Sequence, residues 1–71
     1  MDMFAARLRE VRRSARFTQQ QLACRIGVDR SVYAMYESGK LVPSPRLLER
    51  ICASCAVASD ALAALAAEAD A

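Results

Sequence analysis

The chain has only two glycines, Gly27 and Gly39, and each follows a short run with helical periodicity. Before the first run, Thr18 and Gln21 form the Thr-x-x-Gln pattern of a capping box, which marks a helix start. A glycine after the last periodic residue is typical of a helix end, because it adopts the left-handed conformation without strain. The segment from 18 to 39 is therefore predicted to hold two helices of about two turns each, joined by a tight turn.

Apolar spacing predicts three further helices, one before this segment and two after it. The last is alanine-rich and covers about residues 59–68. Each helix outside the capping box has a polar residue that can cap its start, namely Asp2, Asp29, Ser44 (followed by Pro45) and Ser59. Since 71 residues allow one domain, we expect a single all-α domain over 1–71, a compact five-helix bundle.

The charges are unevenly distributed along the chain. All ten lysines and arginines lie in the first fifty positions, whereas residues 51–71 contain three acids and no base. A basic body with an acidic tail suggests a polyanion as partner. The same charges can also serve only solubility, so charge by itself leaves both interpretations open.

Three cysteines and no histidine limit the chemistry that the chain can perform. Cys52 and Cys55 form a Cys-x-x-Cys pair, but a zinc site needs four ligands and only three thiols exist. Both thiols fall on the apolar face of the fourth helix, which favours buried, unreactive cysteines. We predict no metal and no cofactor. Without a nucleophile triad, a carboxylate pair or a glycine-rich phosphate loop, we predict no enzyme.

The N-terminal segment is interrupted by arginines and lacks the apolar run of a secretory signal. The longest weakly polar stretch, residues 51–67, is too short and too polar to span a bilayer. We therefore expect a cytoplasmic protein with reduced thiols and no membrane association. Cys24 is the remaining thiol.

The central segment carries a longer run of residue types at fixed spacing. The run is Thr18-Gln19-x-x-Leu22-Ala23-x-x-Ile26-Gly27-Val28-x-Arg30-Ser31, followed by Tyr36-Glu37-Ser38-Gly39-Lys40. This run resembles the phage repressor and Cro type of helix-turn-helix domain, also called the xenobiotic-response-element type. The resemblance covers about residues 4–65 and implies a lambda-repressor-like fold with its helix-turn-helix core at 18–39.

The resemblance implies roles for individual residues. In the third helix, Arg30 and Ser31 would face base edges in the major groove, with Ala34 and Met35 beside them. Arg30 is the main candidate for reading sequence, since a guanidinium can bond O6 and N7 of guanine together. Phosphate contacts are expected from four residues, Thr18, Gln19, Ser38 and Lys40.

Two more expectations follow from the same resemblance. Arg12 and Glu37 match a pair that forms a buried salt bridge between the first and third helices. One or more of the first helix's arginines is expected to reach phosphate, but the sequence does not indicate which.

The sequence departs from the family pattern at three notable positions. Arg16 and Ala56 stand where glycine is customary, so a left-handed conformation or a tighter turn is expected at Arg16. Tyr33 replaces a branched aliphatic residue, which would place the third helix slightly further from the body. Tyr33 and Tyr36 are expected in the core.

These features predict a sequence-specific duplex-DNA-binding transcriptional regulator, more specifically a repressor. One recognition helix covers few base pairs, so a homodimer on a near-palindromic operator is expected, with its contact at Leu62 and Leu65 in the C-terminal region. No small-molecule ligand is evident. The alternative is a protein-interaction module, such as the antitoxin or immunity partner of another protein, which the apolar, acidic tail would suit. A degenerate helix-turn-helix used only as a scaffold is a third interpretation.

Overall fold

A computed structural model describes residues 3–57 and 59–69. Within them the chain forms five α-helices and no strand, which confirms the predicted all-α, five-helix fold. None of these helices is long and apolar enough to cross a membrane. The proposed cap Asp2 lies outside the described residues. The helices are α1 (Met3–Ser14), α2 (Gln19–Ile26), α3 (Arg30–Ser38), α4 (Pro45–Cys55) and α5 (Ser59–Ala69).

The predicted capping box at the start of α2 is present. The Thr18 hydroxyl accepts from the Gln21 backbone N–H at 3.1 Å, and the Gln21 side-chain oxygen accepts from the Thr18 N–H at 2.9 Å. Gly27 ends the helix in the left-handed region at φ 79°. The next residue, Val28, donates its N–H to the Ala23 carbonyl at 3.0 Å, which closes the turn. Both ends of α2 are thus set by local sequence.

The starts of the other helices follow the predicted caps only in part. Ser44 accepts from the Leu47 N–H at 3.2 Å, and Pro45 stands at the first helical position, as predicted. Asp29 precedes α3, but its side chain makes no capping hydrogen bond; Asp29 is exposed, so water can satisfy the free N–H groups there. Ser59, which was predicted to cap α5, is itself the first residue of that helix.

One apolar core lies between the helices, and α1 packs on both α3 and α5. Burying each large side chain stabilises the fold by about 1.5–3 kcal/mol. The largest side chains that are fully buried come from every helix: Phe4, Leu8, Leu22, Ile26, Tyr33, Ile51 and Leu62.

The burial of Leu62 corrects the expected dimer contact. This side chain is 1 % exposed within its own chain, so it leaves no apolar surface for a partner. Leu65 is half-buried and packs against the same core. The C-terminal helix needs both leucines to hold itself on the body, because its other described side chains are alanines.

Within residues 3–57 and 59–69, two residues other than glycine adopt the left-handed conformation, Arg16 at φ 63° and Ala56 at φ 56°. Both stand where the family pattern has glycine, and the expectation at Arg16 is confirmed. Arg16 follows the end of α1, and Ala56 follows α4. Since a side chain crowds the backbone in this conformation, each position costs the fold about 1–2 kcal/mol.

Candidate nucleic-acid interface

The outer face of α3 combines polar and apolar side chains that make no polar bond to the described part of the domain. Arg30, Ser31 and Met35 are exposed, and Ala34 is half-buried beside them. The side chains of these four residues make no hydrogen bond or ion pair to the described part of the chain. All four predicted base-reading residues therefore lie together on one accessible surface.

The inner face of α3 packs against the body of the domain through Tyr33, which is fully buried. Its ring meets that of Tyr36 edge to face, with centroids 6.1 Å apart and an interplanar angle of 85°. A buried phenol needs a hydrogen-bond partner, and the Tyr33 hydroxyl donates to Glu37 Oε2 at 2.6 Å. The tyrosine is therefore accommodated in the core because a carboxylate lies one helical turn further on.

Glu37 connects three helices through its carboxylate, although it is only 3 % exposed. From α1, Arg12 donates its Nε to Oε2 at 2.7 Å and its Nη2 to Oε1 at 3.2 Å. From α2, Gln19 donates its Nε2 to Oε1 at 3.2 Å. With Tyr33, these contacts supply hydrogen bonds to both oxygens of a buried charge, as burial of a charge requires.

The protonation states in this cluster follow from its geometry. Burial by itself would raise the pKa of Glu37, but the hydrogen bonds from Arg12, Tyr33 and Gln19 outweigh it and hold that pKa below its ordinary value. The bond to Glu37 raises the pKa of Arg12. Burial, followed by the bond to the carboxylate, raises the pKa of Tyr33. The cluster therefore contains an ionised pair and a neutral phenol at neutral pH.

Arg12 also fixes the turn that leads into α2. Its Nη1 donates to the Phe17 carbonyl oxygen at 2.8 Å, immediately before the capping residue Thr18. The Phe17 ring lies under the Arg25 guanidinium, 5.1 Å from the ring centroid, in a cation–π contact. The first turn of α2 is thus held against both α1 and α3.

The four predicted phosphate-binding residues lie at the start of α2 and at the end of α3. Lys40 is exposed, and Ser38, also exposed, donates its hydroxyl to the Met35 carbonyl at 3.1 Å. Thr18 is exposed, but its hydroxyl oxygen already accepts the capping bond. Gln19 is half-buried with its amide turned toward Glu37; since an amide nitrogen carries two N–H groups, one donor is left over.

Sequence reasoning missed Arg9. Its Nη2 donates to the Glu37 backbone carbonyl at 3.3 Å, and its Nε lies 3.8 Å from Glu37 Oε1. Its side chain is 48 % exposed. A signal exists in the sequence, because Arg9 and Arg12 are three residues apart and neighbours on the helix surface, but only the crossing of α1 and α3 shows what they approach.

The cysteines lie apart from this surface. Cys52 and Cys55 are buried free thiols, Cys24 is an exposed one, and burial raises the pKa of Cys52 and of Cys55. A raised pKa keeps a thiol protonated and unreactive. Among the described residues, no group of side chains could hold a metal ion.

Comparison with known proteins identifies a domain family that spans most of the chain. A family model described as a helix-turn-helix domain matches residues 3–66. That span contains α1 to α4 and most of α5. Neither the curated proteins nor the solved structures give a significant match.

Proposed function

From the premise that the chain belongs to the helix-turn-helix domain family of DNA-binding regulators, we propose that it binds a specific duplex-DNA sequence and represses transcription by occupying that site. The observation that carries this proposal is the division of α3 into two faces. Tyr33, Tyr36 and Glu37 are buried against the body, while on the opposite face Arg30, Ser31 and Met35 are exposed and make no side-chain bond to the residues that the structure describes. Such a helix can enter the major groove without disturbing the core.

Arg30 is proposed as the principal base-reading residue. It is the first residue of α3, and the first turn of a recognition helix is the part that points at base edges. Ser31 would donate to or accept from an adjacent base. Ala34 and Met35 supply methyl groups and a flexible thioether, which suit contact with a thymine methyl.

Phosphate contacts would hold the helix in register. Lys40 supplies a charge just beyond the end of α3, with Ser38 beside it. At the start of α2, the remaining Gln19 donor is joined by free backbone N–H groups of the first turn, which attract anions. Thr18 would contribute through its hydroxyl hydrogen, because the hydroxyl oxygen only accepts in the cap, whereas the Thr18 backbone N–H already donates to Gln21.

The proposed binding unit is a homodimer on a near-palindromic operator, with half-sites about one helical turn apart. With Leu62 buried, the surface available to a partner among the described side chains of α5 includes the half-buried Leu65 and the exposed Ala63, Ala64 and Ala67. Sedimentation of the chain, free and bound to its site, measures this directly: a monomer in both conditions rules out the dimer.

Selection of bound oligonucleotides from a random duplex pool tests the function as a whole. We expect enrichment of one motif made of two related halves, and the spacing between them gives the dimer geometry. Affinity for the enriched duplex should fall steeply as salt rises, because phosphate contacts release counterions. A pool that shows no enrichment, or binding that is insensitive to salt, would instead favour a module that contacts another protein.

A further inference from the structure

The arginines of α1 differ in the groups that they contact. Arg7 is 54 % exposed and pairs with Glu10 of its own helix at 3.1 Å. Arg12 is mostly buried and already makes three hydrogen bonds, two to the Glu37 carboxylate and one to the Phe17 carbonyl. Arg9 is bonded to another helix, like Arg12, and exposed, like Arg7. Its guanidinium bonds to α3, and about half of its side chain remains in solvent.

The anchor places Arg9 between two groups of proposed phosphate contacts. Its Nη2 is bonded to the carbonyl of Glu37, which immediately precedes Ser38. Its Nε lies 3.8 Å from Glu37 Oε1, the oxygen that the Gln19 amide reaches at 3.2 Å. The Arg9 guanidinium and the Gln19 amide thus converge on one oxygen from two helices.

The charges of Arg9, Arg12 and Glu37 add up to one net positive charge. The short pairing of Arg12 with both oxygens of Glu37 already compensates the carboxylate. The contact of Arg9 with the same carboxylate is longer and half-exposed, so solvent screens it and it adds little to stability. Two guanidinium groups and one carboxylate leave one positive charge, and the exposed Arg9 carries it.

We infer that Arg9 and Gln19 together bind a single DNA phosphate. One unused N–H of the amide and the outward donors of the guanidinium would hold the anion, and Glu37 fixes both side chains in place beforehand. The inference rests on the proposed DNA binding and adds a contact from α1, outside the helix-turn-helix segment itself.

The test compares Arg9→Gln with the matched control Arg7→Gln. Both variants remove one charge from α1, at positions of similar exposure, and each removes one arginine contact from a glutamate. The probe is a mixed-sequence duplex of about 30 base pairs, long enough for two half-sites one turn apart. Affinity is measured over a series of salt concentrations, and Arg9→Lys is included because it keeps the charge.

We expect Arg9→Gln to lower affinity about tenfold in low salt and to reduce the slope of log affinity against log salt by about 1 for each bound subunit, with Arg7→Gln near the wild type. Arg9→Lys should keep the wild-type slope. A folded fraction that is the same at every salt concentration leaves this slope unchanged, so a salt-independent loss of stability cannot imitate this result.

Equal slopes for Arg9→Gln and the wild type would overturn the inference, as would equal losses of affinity for the two glutamine variants. Either result would leave the proposed function intact. If the wild type itself fails to bind the duplex, the proposed function fails and Arg9 is not responsible.

Discussion

The phenolic oxygen of Tyr33 lies 2.6 Å from Oε2 of Glu37, one turn further along the same helix, in the interior of the domain. Arg12 and Gln19 reach the same carboxylate from α1 and α2. A tyrosine where the family pattern has an aliphatic side chain therefore adds a donor to a polar cluster in the core. Because the cluster joins three helices, its loss should affect the whole domain.

Tyr33→Phe removes this donor and leaves the ring in place. Hydrogen bonds to charged groups contribute about 1.5–3 kcal/mol, so the free energy of unfolding should fall by that amount. Urea denaturation measures it. The control is Tyr36→Phe, since the Tyr36 hydroxyl makes no hydrogen bond within the described residues. An equal loss of unfolding free energy in both variants would show that the Tyr33 hydrogen bond adds no stability of its own.

Stability should decline in acid through Glu37. Its pKa lies below the ordinary value of 4.5, so the unfolded chain binds more protons than the folded chain between those two values. The contribution of Glu37 is therefore complete above pH 4.5 and is lost as pH falls through the lower, folded pKa. Unfolding free energies measured from pH 6 down to about pH 2 give the slope.

Glu37→Gln is the control for this acid loss, because an amide does not titrate. The variant should be less stable than the wild type at neutral pH and should show a shallower decline in acid. If its slope equals that of the wild type, other carboxylates cause the acid loss.

Glu37→Ala should destabilise the domain by about 3–5 kcal/mol, because it leaves the buried Arg12 charge without a partner. Replacing the whole cluster should cost less than breaking it. The triple variant Arg12→Met, Tyr33→Phe, Glu37→Met contains no unpaired charge, and we expect it to melt at a higher temperature than Glu37→Ala. A lower melting temperature for the triple variant would contradict this account.

Ala56→Gly should stabilise the fold by about 1 kcal/mol, because Ala56 has φ 56° and glycine adopts that conformation without strain. The control is Ala6→Gly in α1, where Ala6 is also exposed and glycine should cost about 0.5–1 kcal/mol through lost backbone freedom. Opposite signs in thermal denaturation are expected. A loss in both variants would mean that Ala56 is not strained.

Arg30→Ala should lower affinity for the selected operator by about 1–3 kcal/mol and relax preference at one base pair. Lys40→Ala should weaken binding to all sequences about equally. Competition with single-base operator variants separates the two outcomes. A preference that survives Arg30→Ala unchanged would mean that another residue of α3 reads that position.

The helices could be predicted largely from local signals. The capping box of Thr18 and Gln21, the left-handed Gly27 and Gly39, and the Ser44-Pro45 start all depend on neighbouring residues alone, and the structure shows each of them. Asp29 shows the limit of this approach, since a cap residue at an exposed helix start can bond to water instead of the backbone.

The polar cluster around Glu37 could be predicted from the sequence only in part. The Arg12 and Glu37 pair came from the family resemblance, whereas the bonds from Tyr33 and Gln19 and the approach of Arg9 depend on how α1, α2 and α3 cross. Leu62 was misplaced for a related reason. An alanine-rich helix has weak periodicity, so its sequence does not show which of its few large side chains the core requires.

The two faces of α3 have a consequence for evolution. Arg30, Ser31, Ala34 and Met35 make no side-chain bond to the described part of the body, so these positions can change with little effect on folding. The structural constraint on the same helix falls on Tyr33, Tyr36 and Glu37. Under the proposed function, a lineage carrying this domain would acquire a new operator through a few substitutions on the outer face of α3, while the interior stays as it is.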